Sequence, residues 1–248
     1  MKLTKSYRLS PGDIYGPIQA RKNRVWLRRV FNWVFWAILI LHLYGLALRF
    51  VPVPGTILMA QRAFNGHSIR KDWTPIEAMS PHLSRAVLGG EDSRFCAHKG
   101  IDIQAIKAAF ADNAKRQRRR GGSTLSQQTA KNVFLWNGGG YPRKAAEAWL
   151  SLYTNAVWGK RRTLEIYLNV AEWGDGIFGA EAAAQARFGK SAKDLTPREA
   201  ALLAAVLPSP NKWRLDPPSD FVNGRANTLM QRAEIIRTSE YDGCLKLE

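Results

Sequence analysis

The stretch Glu91-Asp92-Ser93-Arg94-Phe95-Cys96-Ala97-His98-Lys99-Gly100 brings two carboxylates and an imidazole close together in the chain. Beside Val87, Leu88 and Phe95 such a carboxylate is partly desolvated, the setting in which a general acid or base works. Taken alone, the stretch equally fits a solvated acidic pair and a structural histidine. A second stretch runs Arg118-Arg119-Arg120-Gly121-Gly122-Ser123-Thr124-Leu125-Ser126-Gln127-Gln128, with Lys131 after it. Paired glycines let backbone approach a ligand, and the polar helix start beyond them offers free N–H groups to an anion. A phosphate-bearing substrate suits this pattern, although the spacing is not that of a P-loop. A hinge before a solvated helix, and a solvated or lipid-facing face at Lys115–Arg120, are the plainer readings. Third, Arg143, Lys144 and Glu147 fall at i, i+1 and i+4, so a helix places all three on one side. A surface ion pair explains that too.

Helices must carry these groups. Ile103, Ile106 and Phe110 follow the potential cap Asp102 at helical spacing. Pro142 suits the first turn of a helix bearing Arg143, Lys144, Glu147, Leu150 and Tyr153, with Gly159 as its expected stop. Thr196-x-x-Glu199 forms a capping box with Pro197 in the first turn, and that helix ends before Pro208. Alternating strand patterns are scarce, and a mainly α-helical domain is expected.

Of the 248 residues, 46% are hydrophobic, and 37 Lys and Arg face 20 Asp and Glu for a net charge of +17. Disordered and collagen-like classes are excluded by this composition. Cys96 and Cys244 match no CxxC or metal-ligand spacing, so neither a disulfide framework nor a structural zinc site is expected. Residues 1–48 hold eight Lys and Arg and one acid, which leaves a charge of +10 on the rest. Val30–Leu48 carries no formal charge and as a helix spans about 28 Å, near the thickness of a bilayer core. A signal peptide has a shorter apolar region and a small-residue cleavage site, so an anchor is the reading. The cations before it hold the N-terminus in the cytoplasm. The expected organisation is a basic cytoplasmic tail over 1–29, a transmembrane helix over 30–48 and an extracytoplasmic domain over 49–248, entered through Pro52, Pro54 and Gly55.

Together the three stretches resemble the peptidoglycan glycosyltransferases of glycosyltransferase family 51, nearest the monofunctional biosynthetic kind. Glu91, Asp92, Phe95, His98 and Gly100 match its ED-x-x-F-x-x-H-x-G motif, Gly121–Gln128 its GGST-[IL]-[ST]-QQ motif, and Arg143, Lys144 and Glu147 its RK-x-x-E motif. Tyr167–Gly174, running on to Gly179, Ala182, Ala183 and Phe188, looks like the fourth motif, and Glu199–Ala204 like the fifth. The resemblance covers residues 72–215 in the family's order.

That resemblance implies a lysozyme-like helical domain with a small mobile lobe and a groove opening at the membrane of a bacterial cell. The domain would lie in the periplasm and the anchor in the inner membrane. By analogy Glu91 is the general base that deprotonates the 4-hydroxyl of lipid II, which attacks a polyprenyl-pyrophosphate-linked glycan with inversion. Lys131, Arg143 and Lys144 would meet the pyrophosphate, Ser123, Gln127, Gln128 and His98 would bind substrate, and Glu147 would orient the cations or help hold Mg²⁺ or Mn²⁺. Partners implied are lipid II, the growing strand, the membrane and cell-wall synthase or division proteins; nucleic acid is not among them. No transpeptidase module is expected. Gly138-Gly139-Gly140 replaces the family's basic loop residue, and Cys96 falls at a variable position with no role assigned. The rivals are a lytic transglycosylase or lysozyme-like hydrolase, with Glu91 as acid and no need of those cations, and a basic module binding anionic polymer through Lys115–Arg120.

Overall fold

The computed structural model describes residues 11–115 and 122–247. The start of the basic tail, residues 1–10, the basic run 116–120, Gly121 and the side chains of residues 11–23, 110 and 112–115 lie outside the described residues. The chain divides into two units, 1–47 and 48–248.

The first unit is one helix, α1 (Pro11–Ala47), whose part Arg24–Ala47 has a mean hydropathy of 1.8 and is long and apolar enough to cross a membrane. Its apolar side chains, Phe31, Trp33 and Ile40 among them, are exposed. A helix that shows Trp and Ile on its outside suits lipid better than water.

The second unit is mainly α-helical. In chain order it contains α2 (Ile57–Phe64), β1 (Arg70–Lys71), α3 (Pro81–Glu91), α4 (Ile103–Lys115), α5 (Leu125–Phe134), α6 (Gly140–Val170), β2 (Glu172–Gly174), β3 (Ile177–Phe178), α7 (Ala180–Phe188), α8 (Pro197–Val206) and α9 (Asp220–Thr238). The strands form one small sheet, with β3 in the middle, parallel to β1 and antiparallel to β2. Helices α3, α8 and α9 pack on one another, and α5 lies along α6. Alanines 200, 201, 204 and 205 of α8 are buried with Leu83, Val87, Val222 and Leu229, small against large. Gly89 and Gly90 let the end of α3 come close to α9. A Cβ at 89 would stand 2.9 Å from that of Arg232, and one at 90 would stand 3.2 Å from the Leu229 side chain.

Local signals account for most helix starts. Thr196 and Glu199 form the reciprocal capping box of α8, and the Asp102 carboxylate accepts from Ala105 N–H at 2.9 Å. The structure also departs from the sequence expectations. Of the apolar residues set at helical spacing after Asp102, Ile103 is exposed, and Ala109 is a buried residue of α4. Gly159, read as a stop, is a break of φ 69° and ψ −178° after which α6 resumes to Val170. A further correction is the disulfide between Cys96 and Cys244, whose Cα atoms lie 5.6 Å apart across a sequence separation of 148. Chain distance hid it: α9 returns the C-terminal segment to α3, and two isolated cysteines carry no spacing signal.

Candidate active site

Glu91 is the last residue of α3, and its side chain is 13% exposed, shielded yet open to solvent. One carboxylate oxygen accepts from Gln128 Nε2 at 2.8 Å, while the other lies 3.9 Å from an Arg225 guanidinium nitrogen on α9. Gln128 in turn accepts from the Tyr167 hydroxyl at 3.3 Å. Burial, and secondarily the nearby Glu91 charge, hold the Tyr167 phenol well above its usual pKa, so it stays a donor.

Asp92 explains why Glu91 meets Gln128. Its carboxylate accepts from Leu125 N–H at 2.9 Å, at the N-terminus of α5 where a negative charge is favoured, and so pins the end of α3 to the start of α5. The same carboxylate pairs with His98 Nε2 at 3.0 Å, while His98 Nδ1 accepts from Gly100 N–H at 3.2 Å. Those partners assign the proton to Nε2. His98, expected on the substrate side, is therefore turned inward and buried. Gln127, expected to line the groove, is buried as well: its side-chain oxygen accepts from Thr124 N–H at 3.0 Å in the capping box of α5. Its carbonyl is spent on helix initiation.

Gln128 and Lys131 are one turn apart on the same face of α5, about 4.5 Å along its axis, which links Glu91 to a cationic cluster. Burial lowers the Lys131 pKa; Glu147 opposes that shift, and Arg143 and Lys144 add to it. Glu147 is buried, with one oxygen 2.5 Å from Arg143 Nη1 and the other held by Lys144 Nζ. Lys144 also donates to the Ser123 hydroxyl at 2.7 Å. Three cations thus surround one carboxylate, leaving a surplus positive potential for an anion. The Arg143 Nε donates to the Gly138 carbonyl, and Gly138, Gly139 and Gly140 all hold positive φ, a turn that side chains would strain. A backbone oxygen orients the guanidinium in the loop where the family pattern has a basic side chain.

A protein-held Mg²⁺ or Mn²⁺ does not fit this donor set. Both Glu147 oxygens are engaged by cations, and among the described residues no three His, Cys, Asp or Glu side chains converge.

Sequence reasoning missed Arg225 and gave Tyr167 no role. Tyr167 belongs to the quoted fourth motif, but Arg225 reaches Glu91 only through the packing of α9 on α3, which no local spacing reveals. Beside it runs an open groove of about 430 Å³ lined by Phe221, Gly224, Arg225, Thr228 and Arg232.

Comparison with known proteins gives the same grouping. A family model described as Transglycosylase matches residues 58–234. A biosynthetic peptidoglycan transglycosylase of Rhodospirillum centenum is 49% identical over 220 residues, covering 88% of this chain and 95% of that protein. One from Ectopseudomonas mendocina is 45% identical over 225 residues, 88% of this chain and 93% of that protein. One from Jannaschia sp. is 50% identical over 194 residues, 78% and 80% of the two chains. A match that runs through every element bearing the site, from α3 to α9, means that the chain belongs to the Transglycosylase family.

Proposed function

We propose that this protein is a peptidoglycan glycosyltransferase that polymerises lipid II, with Glu91 as the general base. The observation that carries this reading is the placing of a partly accessible carboxylate at one end of the half-buried face of α5 that bears Gln128 and Lys131, and a cluster of three cations at the other. The relatives named as biosynthetic peptidoglycan transglycosylases support the substrate class.

In the proposed reaction the acceptor's 4-hydroxyl gives its proton to Glu91 as its oxygen attacks the donor's anomeric carbon. The carbon–oxygen bond to the diphosphate breaks, its electron pair leaves with the diphosphate, and the configuration inverts. Lys131, Arg143 and Lys144 stabilise the charge that gathers there, being already in place when it develops. Gln128 and Tyr167 hold the Glu91 carboxylate in position. The groove beside Arg225 lies on the other side of Glu91 and suits the acceptor. A hydrolase using Glu91 as acid would have no task for three cations around one buried carboxylate.

The work is done at the bacterial inner membrane, with the N-terminus cytoplasmic and the catalytic unit periplasmic, where cell-wall synthase or division proteins are its expected company. Two observations support that orientation: the cations preceding α1's apolar part, and a disulfide in the catalytic unit, a bond that persists in an oxidising compartment. Exposed Phe50, Val51, Ile57 and Phe64 at the start of that unit suit a lipid surface.

The test is incubation of the detergent-solubilised protein with labelled lipid II. Polymer that lysozyme digests is the expected product; release of fragments from purified sacculi without polymer would refute the reading.

A further inference from the structure

The geometry points to the Cys96–Cys244 disulfide as a positioning bond for the catalytic loop, so that full activity requires prior oxidation of this pair by a thiol-oxidising protein of the periplasm. This rests on the reading of Glu91 as the base.

Cys96 sits in a single 3-10 turn, Phe95–Ala97, between Glu91 and His98. Cys244 lies in the segment that follows α9, beyond the residues 58–234 that the family model matches. That segment is a strap fastened to α3 and α6 beside the loop. Asp242, buried, pairs with Arg85 of α3 at 2.7 Å. Leu245 is wholly buried in the core, and Arg161 of α6 donates to the Leu245 carbonyl and to that of Lys246 at 2.9 Å. The disulfide adds the one covalent tie between strap and loop.

Other contacts share the work of holding that turn: Arg94, just before it, pairs with the buried Asp102 at 3.1 Å. Phe95 is buried beneath Lys160, whose ammonium lies 4.3 Å from the ring centre and has no hydrogen-bond partner among the described residues, while Asp92 and His98 grip the loop from its two ends. Cys96 is thus fixed between the two ends of the loop that carries the base. Displacement there moves Glu91 relative to Gln128 and the cations, and small misplacements of a reacting group are costly in rate.

The pair is open to exchange, since Cys244 is exposed and Cys96 half-buried. The thiolate of one cysteine attacks a disulfide sulfur of the oxidising protein, giving a mixed disulfide and one partner thiolate. The second cysteine's thiolate then attacks the first cysteine's sulfur and expels the other partner thiolate. Two protons and two electrons pass to the partner, which leaves as a dithiol. With two cysteines in the whole chain, only one intramolecular pairing exists and no isomerisation is needed.

The experiment compares three forms of the full chain in detergent: oxidised wild type, wild type reduced with dithiothreitol and then alkylated, and the Cys96→Ser/Cys244→Ser double variant. Each is assayed with lipid II at a temperature where circular dichroism shows all of them folded. We expect kcat to fall about tenfold on reduction and in the variant, with KM little changed, as for a displaced reacting group. Unalkylated reduced enzyme should recover when reoxidised by oxidised glutathione, and the double variant should ignore both reagents. An unchanged kcat in the reduced form would overturn the inference while leaving Glu91's role intact. Failure of the oxidised enzyme to polymerise lipid II at all would overturn both.

Discussion

The two ends of α5's active face are built on different principles. On the Glu91 side the partners are Gln128, Tyr167 and Arg225, drawn from α5, α6 and α9, and the two closest hydrogen bonds involve neutral groups. On the Glu147 side Arg143 and Lys144 lie within one helical turn of the carboxylate, and the charges are paired directly. The carboxylate proposed as base is held by a neutral amide, which a phenol holds in turn, and is left partly open. The cluster proposed to meet the leaving diphosphate carries a surplus of positive charge around one buried anion.

That contrast breaks most readily at Glu147. Glu147→Gln leaves Arg143 and Lys144 without their anion and facing Lys131, and should lower kcat/KM about a hundredfold while also lowering the melting temperature. Kinetics and calorimetry on the same preparation check both, and a rate near wild type would remove Glu147 from the site. Gln128→Leu, on the other side, takes away one contact of Glu91 and should cost about tenfold, in kcat rather than KM. A change confined to KM would mean that Gln128 binds substrate and does not hold the base.

Lys131 sharpens the contrast through pH. Its pKa is lowered, chiefly by burial, so its cation is lost as pH rises through a value below the usual 10.5. The alkaline limb of kcat/KM should fall early in the wild type and move to higher pH in Lys131→Arg, whose charge persists. Superimposable limbs would separate that lysine from the reaction. The smallest effect is expected at Lys160, whose pKa burial depresses to about 8, partly countered by Asp92. Because the folded value lies below the unfolded one, the charged form is penalised fully below pH 8, and the penalty is relieved between about 8 and 10.5. Lys160→Met should therefore raise the melting temperature slightly at neutral pH, with the gain shrinking as pH rises. A gain that grew with pH would contradict this sign.

The legibility of the molecule divides along the same line. Arg143, Lys144 and Glu147 were readable because helical spacing alone places them together, and the capping box at Thr196 because Thr-x-x-Glu marks a helix start; the box at Thr124 was not read, its Gln127 being taken for a groove residue. Motif resemblance put Gln127 and His98 on the substrate side, whereas Gln127 caps α5 and His98 is buried against Asp92, since polar residues beside a cleft serve equally as helix caps and as buttresses. Arg225 and the Cys96–Cys244 pair were invisible for a common reason. Both depend on how α9 folds back on α3, a consequence of glycines 89 and 90 and of buried alanines on α8, and not of any local pattern.

The most direct measurement is single-turnover glycan transfer from saturating lipid II by Glu91→Gln against wild type, with lipid II binding and melting temperature recorded for both. We expect unchanged binding and a transfer rate reduced by about a thousandfold or more, the loss of a proton acceptor that only the transition state uses. Transfer at more than a few per cent of the wild-type rate would contradict the assignment of the base to residue 91.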